Sequence, residues 1–91
     1  MMTSIHAIAY GVVQGVGFRN FVQEAAEKNH LYGWVRNRKD GAVEIAAEGE
    51  KTEVEQFIQM VKKGNAFSRV ERVEVEDGAD VQHDRQFSIR R

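Results

Sequence analysis

Ile5-His6-Ala7-Ile8-Ala9-Tyr10 is a mostly apolar run that stops at Gly11, and its length and boundary predict a short buried β-strand. From Phe18 the period changes. Phe18, Phe21, Val22, Ala25 and Ala26 recur at helical spacing, while Asn20, Gln23, Glu24, Glu27 and Lys28 take the opposite side. This helix should end near Asn29-His30, because Leu31 to Asn37 returns to a strand-like pattern. Asp40-Gly41 is a strong turn signal with Trp34-Val35 before it and Val43-Glu44-Ile45 after it, so residues 31–48 read as a β-hairpin. Gly49 reads as a break before a second helix, with Thr52 and Glu55 at capping-box spacing. Val54, Phe57, Ile58 and Val61 line one face of that helix, and Lys62, Lys63 and Gly64 supply a basic last turn and a stop. Val73 and Val75 then alternate with Arg72, Glu74 and Glu76 as a half-exposed strand, broken by Asp77-Gly78. Phe87-Ser88-Ile89 predicts a short final strand.

The element order is therefore β-α-β-β-α-β plus a short C-terminal strand. Two helices in these positions bury their apolar stripes together only by lying on one side of a shared sheet. The fold class is α+β: a ferredoxin-like split βαβ sandwich, with both helices on one face of an antiparallel or mixed sheet. Right-handed crossovers place the first strand centrally, beside the hairpin. The end of that strand and Asn37, at the end of the second, would then meet on one edge. No repeat, low-complexity tract or linker divides the chain, so residues 1–91 read as a single domain.

Composition narrows the function. Thirteen basic residues face fourteen acidic ones, for a net charge of −1, without the basic stripe of a nucleic-acid binder. The absence of cysteine excludes disulfides, thiolate metal sites and cysteine nucleophiles, and fits a reducing compartment. The histidines have no metal-ligand spacing, and the carboxylates offer no obvious catalytic pair. No apolar run approaches the length of a membrane span and no signal-peptide core is visible, so the expectation is a cytoplasmic protein without membrane partner. A monomer is the default.

The chemistry concentrates in Gly11-Val12-Val13-Gln14-Gly15-Val16-Gly17-Phe18-Arg19. Gly15 and Gly17 can take backbone angles that let successive N–H groups turn toward one point. The helix that follows aims its positive end at the same point, and Arg19 adds a planar fork able to grip phosphate through two bonds. Together they read as a cradle for a small phosphate.

This loop, followed by Gly33-Trp34-Val35-Arg36-Asn37-x-x-x-Gly41-x-Val43 and then Gly49, resembles the acylphosphatases over essentially the whole chain. The resemblance implies an enzyme that hydrolyses small acyl phosphates to carboxylate and orthophosphate, with no cofactor, metal or covalent enzyme intermediate. It implies that Arg19 and the backbone N–H groups of residues 15 to 19 bind the phosphoryl group. Asn37 would hold and orient the attacking water. The substrate-binding set is then Gln14, Gly15, Val16, Gly17, Phe18 and Arg19, with Arg19 and Asn37 catalytic. Two features depart from the family pattern: Ala9 stands where a larger aliphatic residue is usual, and Gly64-Asn65-Ala66-Phe67 lacks the customary prolines.

Blander roles compete at several positions. Gln14 is a surface residue or a brace for the loop, Phe18 points to the core, and Trp34 and Tyr32 are packing residues. Arg90-Arg91 is a frayed tail or an anchor for the last strand. Two other functions stand beside the enzyme. One is a non-catalytic module that senses or carries a small phosphorylated ligand; Asn37 weighs against it, since a binder needs no water-orienting amide. The other is single-stranded RNA binding, against which the lack of an exposed aromatic pair in a basic surround weighs.

Overall fold

Strand β1 (Met2–Val12) alternates between buried and open positions from Ile5 to Tyr10, with Ile5, Ala7 and Ala9 inward and His6, Ile8 and Tyr10 half-exposed on the other face. The computed structural model describes residues 1–91. The remaining elements are α1 (Phe18–Lys28), β2 (Tyr32–Asn37), β3 (Val43–Glu50), α2 (Lys51–Lys63), β4 (Arg69–Asp77) and β5 (Phe87–Arg90). They form one five-stranded sheet in the order β4-β1-β3-β2-β5. All pairings are antiparallel except β2 with β5. The sandwich is the ferredoxin-like one expected, with β1 in an interior position. No helix is long and apolar enough to cross a membrane.

The helices bury the stripes that their periodicity marked. Phe18, Val22, Ala25 and Ala26 of α1 and Val54, Phe57 and Val61 of α2 join one core with Ile5, Ala7, Ala9, Val35, Ile45, Ala47 and Phe87 of the sheet. On the open face two guanidinium groups approach the Trp34 ring, Arg36 at 5.4 Å and Arg90 at 4.8 Å from its centre.

Three local expectations are corrected. The first strand is longer than its apolar centre: Met2 pairs with Glu50 at one end and Val12 with Arg69 at the other. It passes Gly11 through a register shift, and there a Cβ would lie 2.1 Å from the Arg69 carbonyl oxygen. It is also buried on one face only, as its antiparallel pairing with helices on a single side requires. Gly49, expected to break the chain, is a strand residue opposite Thr3. The Thr52–Glu55 capping box does not form. Strand pairing holds the chain extended to Glu50, α2 starts at Lys51, and no side chain caps it. Thr52 therefore sits inside the first turn rather than at the cap, and the Lys51 N–H donates to the Met1 carbonyl at 2.8 Å.

Candidate active site

The turn from β1 into α1 is possible because two of its residues lack side chains. Gly15 has φ 75° and Gly17 φ 74°, in the left-handed region that residues with a Cβ avoid. A Cβ at Gly15 would meet nothing within 4 Å, so backbone angle, not space, selects glycine there. Gly17 is the N-cap of α1 and no side chain caps the helix; the first turn holds no acidic residue. The first intrahelical bond runs from the Phe21 N–H to the Gly17 carbonyl at 3.1 Å. The amides of residues 18 to 20 thus have no intrahelical acceptor, at the positive end of the helix dipole.

These amides border a cleft of about 490 Å³ lined by Val13, Gly15, Gly17, Phe18, Arg19, Asn20, Asn37, Ile89 and Arg91. Its charged side chains are Arg19 and Arg91, and no carboxylate side chain lines it. Arg19 is half-buried, and its Nη1 donates to the Arg90 carbonyl at 3.3 Å. The parallel β2–β5 pairing puts the end of β5 beside the end of β2, where Asn37 sits. The Oδ1 of Asn37 is shielded from solvent and has no hydrogen-bond partner in the protein.

The turn after Asn37 is held from both sides. Asp40 accepts from the Ala42 N–H at 3.1 Å and from Arg38 Nη2 at 3.0 Å. The Ala42 hydrogen bond, with Arg38 assisting against a smaller opposing effect of desolvation, keeps the Asp40 carboxyl below its ordinary range. From the other side, the Gln14 amide donates to the carbonyls of Arg38 and Ala42. A second cleft of about 680 Å³ shares Asn37 and Arg91 with the first and is lined by Arg36, Arg38, Lys39, Asp40 and Glu44. In it, Glu44 accepts from Arg36 at 2.7 Å and pairs with His6.

Of the residues expected in the site, Gly15, Gly17, Phe18, Arg19 and Asn37 come together around one cleft. Phe18 contributes backbone only, since its ring is buried. Gln14 and Val16 do not line it. The Gln14 side chain is a brace, and the Val16 carbonyl accepts from Asn65 at 2.9 Å. Asn20, Ile89 and Arg91 were not anticipated; Asn20 carried the signal of lying one position past Arg19 on the same helical turn. Arg91 carried none, because only the β2–β5 pairing puts the end of the chain on the cleft that Asn37 lines. The histidines all lie off the cleft lining, each against a glutamate: His6 with Glu44, His30 with Glu53, His83 with Glu48. No group of three or more His, Asp or Glu side chains is gathered as a metal-ligand set.

Residues 5–89 match the family described as Acylphosphatase. The acylphosphatase of Bacillus velezensis is 49% identical over 88 residues, covering 97% of this chain and 98% of that one. That of Bacillus subtilis is 46% identical over 88 residues, with 97% of each covered. A crystal structure of acylphosphatase from Bacillus subtilis superposes with a TM-score of 0.92 at 44% identity, covering 100% of both chains. A structure of full-length HypF in a phosphate- and nucleotide-bound form contains a similar unit, with TM-score 0.83 and 29% identity over 98% of this chain and 12% of that one.

Proposed function

This chain belongs to the acylphosphatase family and is an acylphosphate phosphohydrolase, and from that premise we propose how its cleft does the work. Arg19 and the N–H groups of Gly15, Gly17, Phe18 and Arg19 hold the phosphoryl group of a small acyl phosphate, and Asn37 orients the attacking water. The observation that carries this reading is the convergence on one cleft of Arg19, an uncapped helix N-terminus and the Asn37 amide.

Phosphoryl transfer spreads negative charge over three equatorial oxygens, so positioning and electrostatic stabilisation do most of the catalysis. The amides and the guanidinium supply both, and the proposed route passes through no metal ion. A shielded amide oxygen without a donor costs about 1–3 kcal/mol, and a water donating to Asn37 Oδ1 would remove that cost. Asn37 is neutral and orients the water without deprotonating it. The water oxygen forms a bond to phosphorus while the phosphorus–acyl oxygen bond breaks, its electron pair leaving with the carboxylate. The water proton passes to a phosphoryl oxygen of the substrate itself. In-line attack puts the leaving acyl group on the side of the phosphorus away from Asn37. The net charge of −1 supports a small-molecule substrate over a nucleic acid, and we take the monomer as the working form.

The test is hydrolysis of benzoyl phosphate in EDTA by the wild type, Arg19→Ala and Asn37→Ala, with folding followed by circular dichroism. Turnover in the wild type and its loss in both folded variants supports the assignment. Wild-type turnover in either folded variant removes that residue from the mechanism, and dependence of the wild type on added metal overturns the metal-free route.

A further inference from the structure

Gly17 borders the cleft, and the Val16–Gly17 peptide that leads into it lies in neither a helix nor a strand. Gly17 tolerates positive and negative φ about equally, so this peptide plane can turn over at little steric cost. In a trans peptide the C=O and the N–H point opposite ways. Turning it over would take the Gly17 N–H away from the cleft and swing the Val16 carbonyl toward a bound anion, which its dipole would repel.

One side chain holds that carbonyl. Asn65 Nδ2 donates to Val16 O at 2.9 Å, and a Cβ on Gly17 would lie 3.8 Å from the same nitrogen. Asn65 comes from the turn between α2 and β4 and does not line the cleft, so the carbonyl is bound to a partner outside the cleft lining. The turn is itself closed: the Asn65 N–H donates to Ser68 Oγ at 2.9 Å, and the Ser68 N–H and hydroxyl both donate to the Asn65 carbonyl. The Asn65 Oδ1 is buried without a partner. A half-satisfied buried amide is unfavourable for stability. Its compensation is the bond to the loop.

We propose that Asn65 is a positioning residue of the phosphate site, locking the Val16–Gly17 peptide with its N–H toward the phosphoryl group. The inference rests on the reading of the cleft given above. Asn65 acts through the loop backbone and touches no reacting atom.

Calorimetric titration with inorganic phosphate tests it on the wild type, Asn65→Ala, Asn65→Asp and Arg19→Ala, with thermal midpoints measured alongside. Asn65→Ala should weaken phosphate binding on the order of tenfold, the loss of about one preorganised hydrogen bond. Its thermal midpoint should stay close to that of the wild type, because the orphaned oxygen leaves with the amide. Asn65→Asp keeps the shape but at neutral pH has no donor and adds a negative charge, so it should bind phosphate more weakly still. Part of its deficit relative to the wild type should return as the pH approaches about 4, where a carboxyl regains a proton to donate. A folded Asn65→Ala protein with wild-type phosphate affinity overturns the proposal; if that variant misfolds, wild-type affinity in Asn65→Asp at neutral pH does the same. Loss of binding in Arg19→Ala alone sinks only the role of Asn65, whereas wild-type binding in Arg19→Ala sinks the reading of the cleft.

Discussion

Gln14 is tied to Arg38 across the cleft's edge: its Nε2 lies 2.8 Å from the Arg38 carbonyl oxygen and 2.8 Å from that of Ala42. Those carbonyls flank the turn directly after Asn37, so one side-chain amide ties the glycine-rich loop to the hairpin turn that follows Asn37. A misplacement of about 1 Å costs on the order of 100-fold when reacting groups must align. Gln14→Ala should lower kcat/KM by roughly 10- to 100-fold, and Gln14→Glu, which cannot donate, should fare no better. Steady-state kinetics on benzoyl phosphate decide it; wild-type values in Gln14→Ala would make the bridge dispensable.

Arg19→Lys keeps the charge and loses the planar fork. Removing one preorganised donor costs on the order of 10²–10³ in rate, and lysine acts as a point charge where two directed bonds are needed. The contact from Nη1 to the Arg90 carbonyl goes as well. The expected result is a folded protein with kcat/KM down by at least about 100-fold. Near-normal turnover would reject the fork as the essential feature.

No histidine should be essential. Each is engaged with a glutamate, and none lines the cleft. His6→Gln, His30→Gln and His83→Gln should each keep kcat close to the wild-type value. A large loss in any one of them, with the fold intact, would reveal a base that the proposed mechanism lacks.

Glu44 links stability to pH. Burial pushes its carboxyl up, but hydrogen bonds from His6 and Arg36 and their charges outweigh that and hold it below the ordinary 4.5. A carboxyl whose pKa is lower in the folded state stabilises the protein above its unfolded value and loses that contribution as the pH falls through the folded value. Glu44→Gln should therefore lower the thermal midpoint at pH 7, and the gap to the wild type should close as the pH falls below about 4.5. A gap that is constant or widens toward acid contradicts the assignment.

Gly33 and Gly15 should fail in different ways. At Gly33, with φ 150°, a Cβ would lie 1.9 Å from the Ala46 carbonyl oxygen inside the β2–β3 pairing. Gly33→Ala should cost roughly 3–5 kcal/mol or prevent folding. Gly15→Ala meets no atom and should fold with a penalty of about 1–2 kcal/mol for the left-handed angle, while losing phosphate affinity. Denaturant unfolding and phosphate titration separate the two; equal destabilisation would contradict this account.

The local signals in this chain were reliable wherever one element settles the matter by itself. The helical period of Phe18, Val22 and Ala25 gave α1 its bounds, Asp40-Gly41 placed the hairpin, and the glycine-rich stretch marked a turn whose Gly15, Gly17 and Arg19 line one cleft. They failed where partners distant in sequence compete. Thr52 and Glu55 have capping-box spacing, but pairing of Met2 with Glu50 extends β3 and shifts the helix start past them.

By itself, then, the sequence determined the kind of elements, their order and the glycine-bearing turn, because backbone angles and side-chain period are properties of short segments. Only the tertiary structure decided that Gln14 braces the hairpin, that Arg91 shares a cleft with Asn37, and that Asn65 holds Val16 across 49 residues of chain. Those contacts have no local period to betray them. They exist because the sheet order β4-β1-β3-β2-β5 brings separate turns to one edge, where unpaired backbone groups find whichever side chains arrive beside them.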